Sequence, residues 1–315
     1  MILSVVIPTM NKAPLLARTL EALSRQLLAA PLAWEIVVVD DGSTDETARL
    51  LADWATSTNP PVRVATPPHN VGRAAARNLG ARTARGRWLL FLDDDIVAPE
   101  GLLQAHLDLL QEDPRRGTIG HAVTDPQVVD APHFRYIDSR GVARLPAGPA
   151  PARYFMTQNA AVPREAFISV GGFDERFEGY GFEDMEVGFR LEEEAGIRFK
   201  VLTAPVPIHI HHHTLDEYLD KKVLCGRQSL RLVARLHPER LAEMNLHHVV
   251  DGRGHRRRTW LTALTAGLPS RSLRYLLAHW PCADDFRPRL FRALYCPVMN
   301  LTIMKSYGQG LVDDA

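Results

Sequence analysis

The chain has 315 residues, of which 46% are hydrophobic and 23% are charged. This length allows one large or two moderate domains with a sizeable core. Lysine plus arginine and aspartate plus glutamate both total 37, so no overall basic field favours a nucleic-acid partner. The three cysteines, Cys225, Cys282 and Cys296, are too few and too widely spaced for a disulfide framework.

The sequence starts directly with a strand-like run at 2–7, without the basic and apolar regions of a secretory signal peptide. No run of residues approaches the ~18 apolar positions that a membrane span needs. We therefore expect a cytoplasmic protein, either free or held peripherally at the inner face of the plasma membrane.

The first 120 residues alternate β-type runs with helical stretches. In chain order the patterns predict strands at 3–7, 35–39, 62–65 and 87–92, and helices at 14–28, 43–54 and 72–84. The second helix is expected to begin with a capping box formed by Ser43 and Glu46. Strands that alternate with helices in this way predict an α/β fold with a largely parallel sheet and helices on both faces.

The alternation fails after about residue 120. Residues 124–152 are rich in proline, glycine and isolated charges, which predicts a long excursion over the surface. The elements expected after it are a strand at 155–162, a helix from Glu183 to about Ala195, a strand at 198–202 and mostly helix from residue 214 onward. We therefore expect an α/β domain at 1–215 and a helical C-terminal region at 216–315.

Three consecutive carboxylates, Asp93, Asp94 and Asp95, directly follow the apolar run at 88–92. At the carboxyl end of a buried strand in an open α/β sheet, such a cluster lies where ligands bind. The repulsion between the like charges must be offset, and a divalent cation such as Mg²⁺ or Mn²⁺ does this best. The cluster therefore predicts a metal site, with a polar turn and a helix-capping aspartate as the alternative.

Two further groups of polar residues follow predicted elements of the same sheet. Asp40 and Asp41 close the second strand, where they either hydrogen-bond a nucleoside or form a turn and helix cap. Arg73 and Arg77 share one face of the next helix. Guanidinium groups near a strand-end metal site suit a diphosphate, and a solvated helix face is the alternative.

Glu183 and Asp184 start a predicted helix after a glycine-rich turn. Their alternatives are a structural role at the helix N-terminus and a role as general base, because nearby aromatic side chains would partly desolvate an acid there. The flanking aromatic residues are Phe173, Phe177, Tyr180 and Phe182.

Four of the five residues from 209 to 213 are histidines, more than packing requires. Imidazole is a common ligand of transition metals, but a zinc site would lack a cysteine or a second spaced pair. We expect one of these histidines to complete the metal coordination that Asp95 begins.

Several motifs, taken in order, resemble the family 2 glycosyltransferases, which have the GT-A nucleotide-diphospho-sugar transferase fold with a Rossmann-like, mostly parallel central sheet. These motifs are SVVIPTMN at 4–11, VDDGSTD at 39–45, NVGRAAARNLG at 70–80, FLDDD at 91–95, GGFD at 171–174 and GFEDME at 181–186. The resemblance covers roughly residues 2–236. The Glu-Asp segment is also similar to the acidic motif of β-1,4-galactosyltransferases and of polypeptide GalNAc-transferases.

The resemblance implies a metal-dependent inverting transferase of the hexosyltransferase class that uses a nucleotide-sugar donor, with a UDP-sugar as the first expectation. The residues that would bind the donor are Pro8, Thr9, Asp40, Asp41, Arg77, Asp93 and Asp94. Asp95 would be the metal ligand of the DxD signature, joined by His209 or His211. Asp184 would be the general base, Glu183 would help to position the acceptor, and the cofactor would be Mn²⁺ or Mg²⁺.

The implied partner is a hydroxyl acceptor on a glycan or a lipid-linked glycan, as in the synthesis of cell-envelope polysaccharides. Residues 286–304 mix arginines with apolar side chains and could lie on an anionic membrane, or could form a helix packed on the rest of the protein. A sugar nucleotidyltransferase is a rival class, although residues 8–14 lack the glycines that hold a triphosphate. A non-catalytic glycan-binding protein on the same fold is the third alternative.

Overall fold

The structure is a computed structural model. It describes residues 1–29, 32–56, 60–125, 127, 131–210, 213–257, 270–280 and 294–312. The chain forms two compact units. The first comprises Met1–Asp125, Arg140–Arg176 and Asp184–His211, and the second comprises Pro126–Ser139, Phe177–Glu183 and His212–Ala315. The domain boundary between residues 215 and 216 that the sequence suggests stays a prediction.

Strands of two sheets lie in the first unit. They are β1 (Leu3–Thr9), β2 (Trp34–Asp40), β3 (Val62–Ala65), β4 (Trp88–Leu92), β5 (Ile96–Val97), β6 (Arg116–Gly120), β7 (Val123–Thr124), β8 (Gly148–Pro149), β9 (Asn159–Pro163), β10 (Arg198–Leu202) and β11 (Ile208–His209). The larger sheet has the order β3-β2-β1-β4-β9-β6-β10-β8, and the smaller one has the order β5-β11-β7. In the larger sheet, β9 runs antiparallel to β4 and β6, and β8 runs antiparallel to β10. The other pairs are parallel, so the expected mostly parallel α/β sheet is confirmed.

The central strands of the larger sheet consist mainly of apolar residues, as expected for strands that helices cover. The helices up to residue 193 are α1 (Ala13–Ser24), α2 (Thr47–Trp54), α3 (Gly72–Thr83), α4 (Leu102–Gln111), α5 (Pro132–Asp138), α6 (Arg164–Ser169) and α7 (Glu183–Glu193). Every residue of β2 and β4 is buried, as expected for strands packed on both faces. Helix α5 belongs to the second unit, and the others, apart from the first residue of α7, belong to the first.

Helix α3 lies close to the sheet because Gly80 has no side chain. A Cβ atom at this position would lie 2.4 Å from Cγ1 of Val6 and 3.1 Å from Cγ2 of Val39. Such a contact has no room for a methyl group in a close-packed core. The glycine therefore sets the distance between the strands and the helix that carries Arg77.

The second unit is helical in its described part. Its later helices are α8 (Leu215–Gln228), α9 (Leu230–Leu236), α10 (Ser270–Ala278) and α11 (Cys296–Gly310). A capping box between Thr214 and Glu217 starts α8. A Cβ atom at Gly226 would lie 2.2 Å from the carbonyl oxygen of Tyr307, so α8 and α11 pack with their backbones close together. Across the ranges that are described, no helix has the length and apolar content to cross a membrane.

Two sequence-based expectations about local structure are wrong. Ser43 and Glu46 form no capping box, because the Ser43 hydroxyl accepts from the amide of Asn11 instead, and α2 begins at Thr47. The predicted strand at 155–162 starts only at Asn159, whose amide donates to the carbonyl of Met156 in a turn. That turn leaves the amide and hydroxyl of Thr157, one of the two residues between them, available for a side-chain partner.

The predicted surface excursion at 124–152 contains more structure than its composition suggested. It holds part of β7, all of α5, a short 3₁₀ turn and β8. Tyr136, Val142 and Ala152 are buried within it. Isolated apolar residues among prolines and glycines show no periodicity, which is why the sequence pattern missed them.

Candidate active site

The candidate site lies at the carboxyl ends of neighbouring parallel strands in the first unit. β1 pairs with β2 on one side, with Thr9 opposite Asp40, and with β4 on the other. Asp93 follows directly after β4. Because the carboxyl ends of parallel strands meet at one edge, polar residues from all three strands come together there.

Asp94 is buried and fully engaged by its surroundings. Its Oδ2 accepts from the hydroxyl of Thr9 at 2.7 Å, its Oδ1 accepts from Nζ of Lys12 at 3.1 Å, and its carbonyl accepts from the hydroxyl of Thr19 at 2.9 Å. Burial raises the pKa of Asp94 to about 6, although the charge of Lys12 acts in the opposite direction. These contacts favour a supporting role for Thr9 and Asp94, and their contact with a donor stays a prediction.

Lys12 is one of the residues of the site that the sequence motifs did not identify. Its Nζ lies 2.7 Å from Oδ2 of Asp95 as well as 3.1 Å from Oδ1 of Asp94, and its side chain is 31% exposed. Burial lowers the pKa of Lys12, but the charges of the two aspartates outweigh burial and leave the pKa raised. Lys12 is therefore a fixed positive charge inside the acid cluster.

Asp95 and His209 form the second ionic contact of the cluster. Oδ1 of Asp95 lies 3.0 Å from Nε2 of His209. Burial raises the pKa of Asp95, but His209 and Lys12 outweigh it and hold the pKa well below its usual range. Burial likewise lowers the pKa of His209, and the adjacent carboxylate reverses this and leaves the pKa raised.

The small sheet brings these two residues together. His209 in β11 is opposite Ile96 in β5, and the amide of Ile210 donates to the carbonyl of Asp95 at 2.9 Å. The other metal-ligand candidate, His211, lies outside the described residues. The structure therefore describes the surroundings of His209 only, and a role of His211 as metal ligand stays a prediction.

A carboxylate and an imidazole at this distance fit a divalent cation such as Mn²⁺. Within the residues that the structure covers, no group of three or more histidine, cysteine or acidic side chains could hold a metal. Two protein ligands agree with cations that take their other ligands from water and substrate phosphates. Asp95 and His209 are thus suited to a metal that binds together with a diphosphate.

Asn11 fastens the loop after β1 to the loop after β2. It has a left-handed backbone with φ of 54°, and its Oδ1 accepts from the amide of Thr44 at 2.7 Å and from the amide of Asp45 at 3.3 Å. Asp45 in return accepts from the amide of Ala13 at 3.2 Å. This interlock fixes the direction in which Lys12 leaves the backbone.

Asp40 and Asp41 both accept hydrogen bonds from backbone amides. Oδ1 of Asp40 accepts from the amide of Ser43 at 3.0 Å. The two oxygens of Asp41 accept from the amides of Val71 at 2.7 Å and Gly72 at 2.9 Å, which places the carboxylate at the N-terminus of α3. The capping alternative therefore holds for Asp41, but on a different helix from the one expected. Nucleoside binding by Asp40, Asp41 and Pro8, the half-buried partner of Val39 in β2, stays a prediction.

Arg77 connects two carboxylates of the candidate site. Its Nη2 donates to Oδ1 of Asp93 at 3.0 Å, and its Nη1 lies 3.5 Å from Oδ1 of Asp184. Its guanidinium also lies 5.7 Å from the centre of the Phe173 ring. The Arg77 side chain is only 5% exposed, whereas Arg73 on the same helix is exposed. The two arginines therefore differ in burial, and their contact with a diphosphate stays a prediction.

Asp184 is positioned by Thr157. The amide of Thr157 donates to Oδ2 at 3.2 Å, and its hydroxyl is 3.0 Å from Oδ1 and 3.1 Å from Oδ2. Glu183, the preceding residue, is buried and begins α7. The assignment of Asp184 as base and of Glu183 as acceptor-positioning residue stays a prediction.

The aromatic residues expected around Asp184 belong to different units of the chain. Phe173 packs with Phe91 and Phe167 in the first unit. Phe177 and Phe182 instead belong to an apolar cluster of the helical unit. The four aromatic positions are close in sequence, but the chain passes between the two units within this segment and divides them.

A buried polar network supports the strand next to Thr157. Nδ1 of His106 lies 2.7 Å from the hydroxyl of Thr118, and Nε2 lies 2.8 Å from Oδ1 of Asn159, the first residue of β9. Burial lowers the pKa of His106 to about 4, although the hydrogen bond with Asn159 acts in the opposite direction. The ring is therefore neutral at physiological pH, and it ties α4 to the start of β9.

Comparisons with known proteins show the family and the fold of the chain. A family model for glycosyl transferase family 2 matches residues 4–172. A second model, the N-terminal domain of galactosyltransferase, matches residues 143–213, the segment that includes Asp184 and His209.

Among characterised relatives, validoxylamine A glucosyltransferase of Streptomyces hygroscopicus subsp. limoneus is 33% identical over 284 residues, which covers 77% of this chain and 58% of that protein. Chondroitin synthase of Escherichia coli is 27% identical over 244 residues, which covers 66% of this chain and 34% of the synthase. The chain thus spans less than two thirds of the length of these relatives.

Solved structures show the same fold at low identity. A mannosyltransferase from Pyrobaculum calidifontis in complex with GDP-Man and Mn²⁺ has a TM-score of 0.63 and 22% identity, covering 99% of this chain and 86% of that chain. TarS 1–349 of S. aureus in complex with UDP-GlcNAc has a TM-score of 0.56 and 16% identity, with 98% and 92% covered. Together with the family model over residues 4–172 and the 33% identical relative, these likenesses lead to one conclusion: the chain belongs to glycosyl transferase family 2.

Proposed function

We propose that the chain is a metal-dependent glycosyltransferase that moves a sugar from a nucleotide-diphosphate donor to an acceptor hydroxyl with inversion. The observation that carries this proposal is the ionic chain from Asp93 through Arg77 to Asp184. It joins an acid cluster suited to a metal and a diphosphate with a carboxylate suited to taking a proton from an acceptor. Donor-side and acceptor-side groups that meet in one place are what a transfer reaction requires.

On the donor side, the proposal assigns Pro8, Thr9, Asp40 and Asp41 to the nucleoside end of a UDP-sugar. Support comes from their position at the carboxyl ends of β1 and β2, where open α/β sheets bind nucleotides. Because both oxygens of Asp41 already accept from amides of α3, we assign it to shaping this part of the site. Asp93, whose side chain is 33% exposed, is the member of the acid cluster best placed to contact ribose or sugar.

Asp95 and His209 would hold the divalent cation, Mn²⁺ or Mg²⁺. When bound, such a cation stabilises the charge that develops on a departing nucleoside diphosphate. The Asp95 side chain is 4% exposed and that of His209 is 25% exposed, so the carboxylate is largely screened from bulk water. Low local water content strengthens every charge interaction at the site.

Asp184 would accept the proton of the attacking hydroxyl. Arg77 and Thr157 both contact its carboxylate and hold it in one orientation. A positioned carboxylate of this kind contributes about 10² to 10⁴ in rate. Attack from the face opposite the leaving group would invert the anomeric centre.

The acceptor is proposed to be a glycan or a lipid-linked glycan, with surface contact through residues 286–304. Residues 286–293 lie outside the described part of the chain. In α11, Cys296, Met299 and Thr302 are buried in the second unit, so only the opposite side of the helix is open to a surface. Sedimentation with vesicles of anionic or neutral lipid tests this contact, and equal binding to both would contradict it.

The test of the proposed function is release of nucleoside diphosphate from a panel of UDP-, GDP- and dTDP-sugars, with Mn²⁺ or with EDTA. Asp95→Ala and Asp184→Asn are the variants to compare with the wild type. We expect metal-dependent release from one donor, loss of release in Asp95→Ala, and loss of transfer to acceptor in Asp184→Asn. Release of pyrophosphate from a nucleoside triphosphate and a sugar 1-phosphate, measured in parallel, would instead indicate a nucleotidyltransferase. Absence of nucleoside diphosphate release and of nucleotide binding would indicate a glycan-binding protein.

A further inference from the structure

Lys12 occupies an unusual position for a residue beside a metal site. Its ammonium group contacts Asp94 at 3.1 Å and Asp95 at 2.7 Å, and both aspartate side chains are less than one tenth exposed. A cation-binding site generally gains from negative charge and loses from a fixed positive charge nearby. The lysine therefore reduces the attraction of the acid cluster for a cation.

The two oxygens of Asp95 have different neighbours. Oδ2 accepts from Lys12, while Oδ1 faces Nε2 of His209 at 3.0 Å. Lys12 therefore does not need to leave for Oδ1 and the imidazole to meet a cation. Its charge would remain beside that cation.

Hydrogen bonds hold the backbone on both sides of Lys12. Asn11, the preceding residue, has a left-handed backbone conformation, and Asp45 accepts from the amide of Ala13, the following residue. Two residues of the β2 loop thus anchor both neighbours of the lysine. This anchoring fixes the point from which the lysine side chain leaves the backbone, with its ammonium group beside Asp94 and Asp95.

We propose that Lys12 makes metal binding depend on the nucleoside diphosphate. Without nucleotide, the fixed ammonium group opposes a divalent cation at Asp95 and His209. With nucleotide, the negative diphosphate is attracted by both positive charges and compensates their mutual repulsion. This inference rests on the proposed function, since it requires a donor diphosphate at the metal site.

The alternative is that Lys12 only neutralises the carboxylates so that the loop can fold. The two explanations predict opposite changes in metal affinity when the charge of Lys12 is removed. If the role is structural, removing the charge loosens the cluster and weakens metal binding. If Lys12 couples metal to nucleotide, removing the charge strengthens metal binding in the absence of nucleotide.

The experiment is titration of Mn²⁺ into the full chain, followed by the electron paramagnetic resonance signal of the free ion, with and without UDP, GDP or dTDP. Lys12→Met removes the charge, and Lys12→Arg keeps it. Lys200→Met is the matched control, because Lys200 pairs with Glu112 outside the site. Asp95→Asn reports whether the binding observed is binding at this site.

We expect Lys12→Met to bind Mn²⁺ about tenfold more tightly than the wild type without nucleotide. The factor by which nucleotide tightens Mn²⁺ binding should shrink correspondingly, and by linkage so should the effect of Mn²⁺ on nucleotide affinity. Lys12→Arg and Lys200→Met should behave like the wild type.

Equal or weaker Mn²⁺ binding by Lys12→Met would overturn the inference while leaving the proposed function intact. If Lys12→Met does not fold, Lys12→Gln takes its place, and failure of both would assign Lys12 the structural role and overturn the inference. If the wild type bound no Mn²⁺ with any nucleotide, the proposed function itself would fail together with this inference.

Discussion

Thr157 contacts the carboxylate of Asp184 with two different groups. Its amide donates to Oδ2 at 3.2 Å, and its hydroxyl lies within 3.1 Å of both oxygens. These contacts leave acceptor capacity on the carboxylate for an incoming hydroxyl, since an ionised aspartate offers about four lone-pair sites. The threonine therefore holds Asp184 in place without blocking its use as a base.

Removing the Thr157 hydroxyl should lower the rate of transfer more than the binding of donor. We expect Thr157→Val to reduce kcat about tenfold, because a misplaced base loses much of its contribution, with donor KM nearly unchanged. Thr157→Ser keeps the hydroxyl and should stay close to the wild type. A rise in donor KM at constant kcat would contradict the assignment of Asp184 to the acceptor side.

Arg77 is predicted to be sensitive to a charge-conserving change. A lysine has one ammonium group and cannot contact Asp93 and Asp184 with two separate nitrogen atoms as the guanidinium does. We expect Arg77→Lys to lower kcat about 10- to 100-fold, measured as transfer at saturating donor. Arg176→Lys, at an exposed arginine paired with Asp174, is the control and should have little effect.

The contacts of Asn11 with the loop after β2 allow backbone conformation and side-chain hydrogen bonding to be tested separately. Asn11→Gly keeps a backbone suited to the φ of 54° but removes the acceptor for Thr44 and Asp45, whereas Asn11→Asp keeps the acceptor. We expect Asn11→Gly to lose about 1–2 kcal/mol of stability in urea unfolding and Asn11→Asp to lose less. A larger loss in Asn11→Asp would show that backbone conformation and charge matter more than the acceptor.

His106 should make stability depend on pH. Burial lowers its pKa from 6.5 to about 4, so the folded chain resists the proton that the unfolded chain accepts. The stabilisation is complete above pH 6.5 and is lost as the pH falls toward 4, with a total of about 3 kcal/mol.

The measurement is the free energy of unfolding of the wild type and of His106→Gln between about pH 7.5 and about pH 4.5. Glutamine does not titrate, so the stability difference between the two proteins should narrow as the pH falls. A constant difference for His106→Gln would show that the buried ring does not titrate as expected.

The carboxylates of the site were accessible to sequence reasoning because they follow apolar runs. An apolar run followed by Asp93 to Asp95 indicates where the strand ends and which of its ends carries the polar residues. The order of strands and helices then predicts which strand ends meet. The parallel pairing of β1 with β2 and β4 matches that reasoning.

The residues that hold those carboxylates were not accessible in the same way. Lys12 meets partners 82 and 83 positions along the chain, and His106 meets Asn159 53 positions away. Thr157 was placed within a predicted strand, and its role depends on the turn that replaces the strand there. Pairings of this kind are decided by tertiary packing, for which local periodicity carries no signal.

The connection 203–207 between β10 and β11 has a consequence for how this protein tolerates insertions. Loops generally accept changes of length. Here the connection feeds a two-residue ladder in which His209 lies opposite Ile96, next to Asp95. A single added or deleted residue would exchange the two faces of β11 and turn the imidazole away, even if every backbone hydrogen bond reformed. The length of this short connection therefore determines whether His209 reaches Asp95. We expect it to be constrained as tightly as the identity of the histidine.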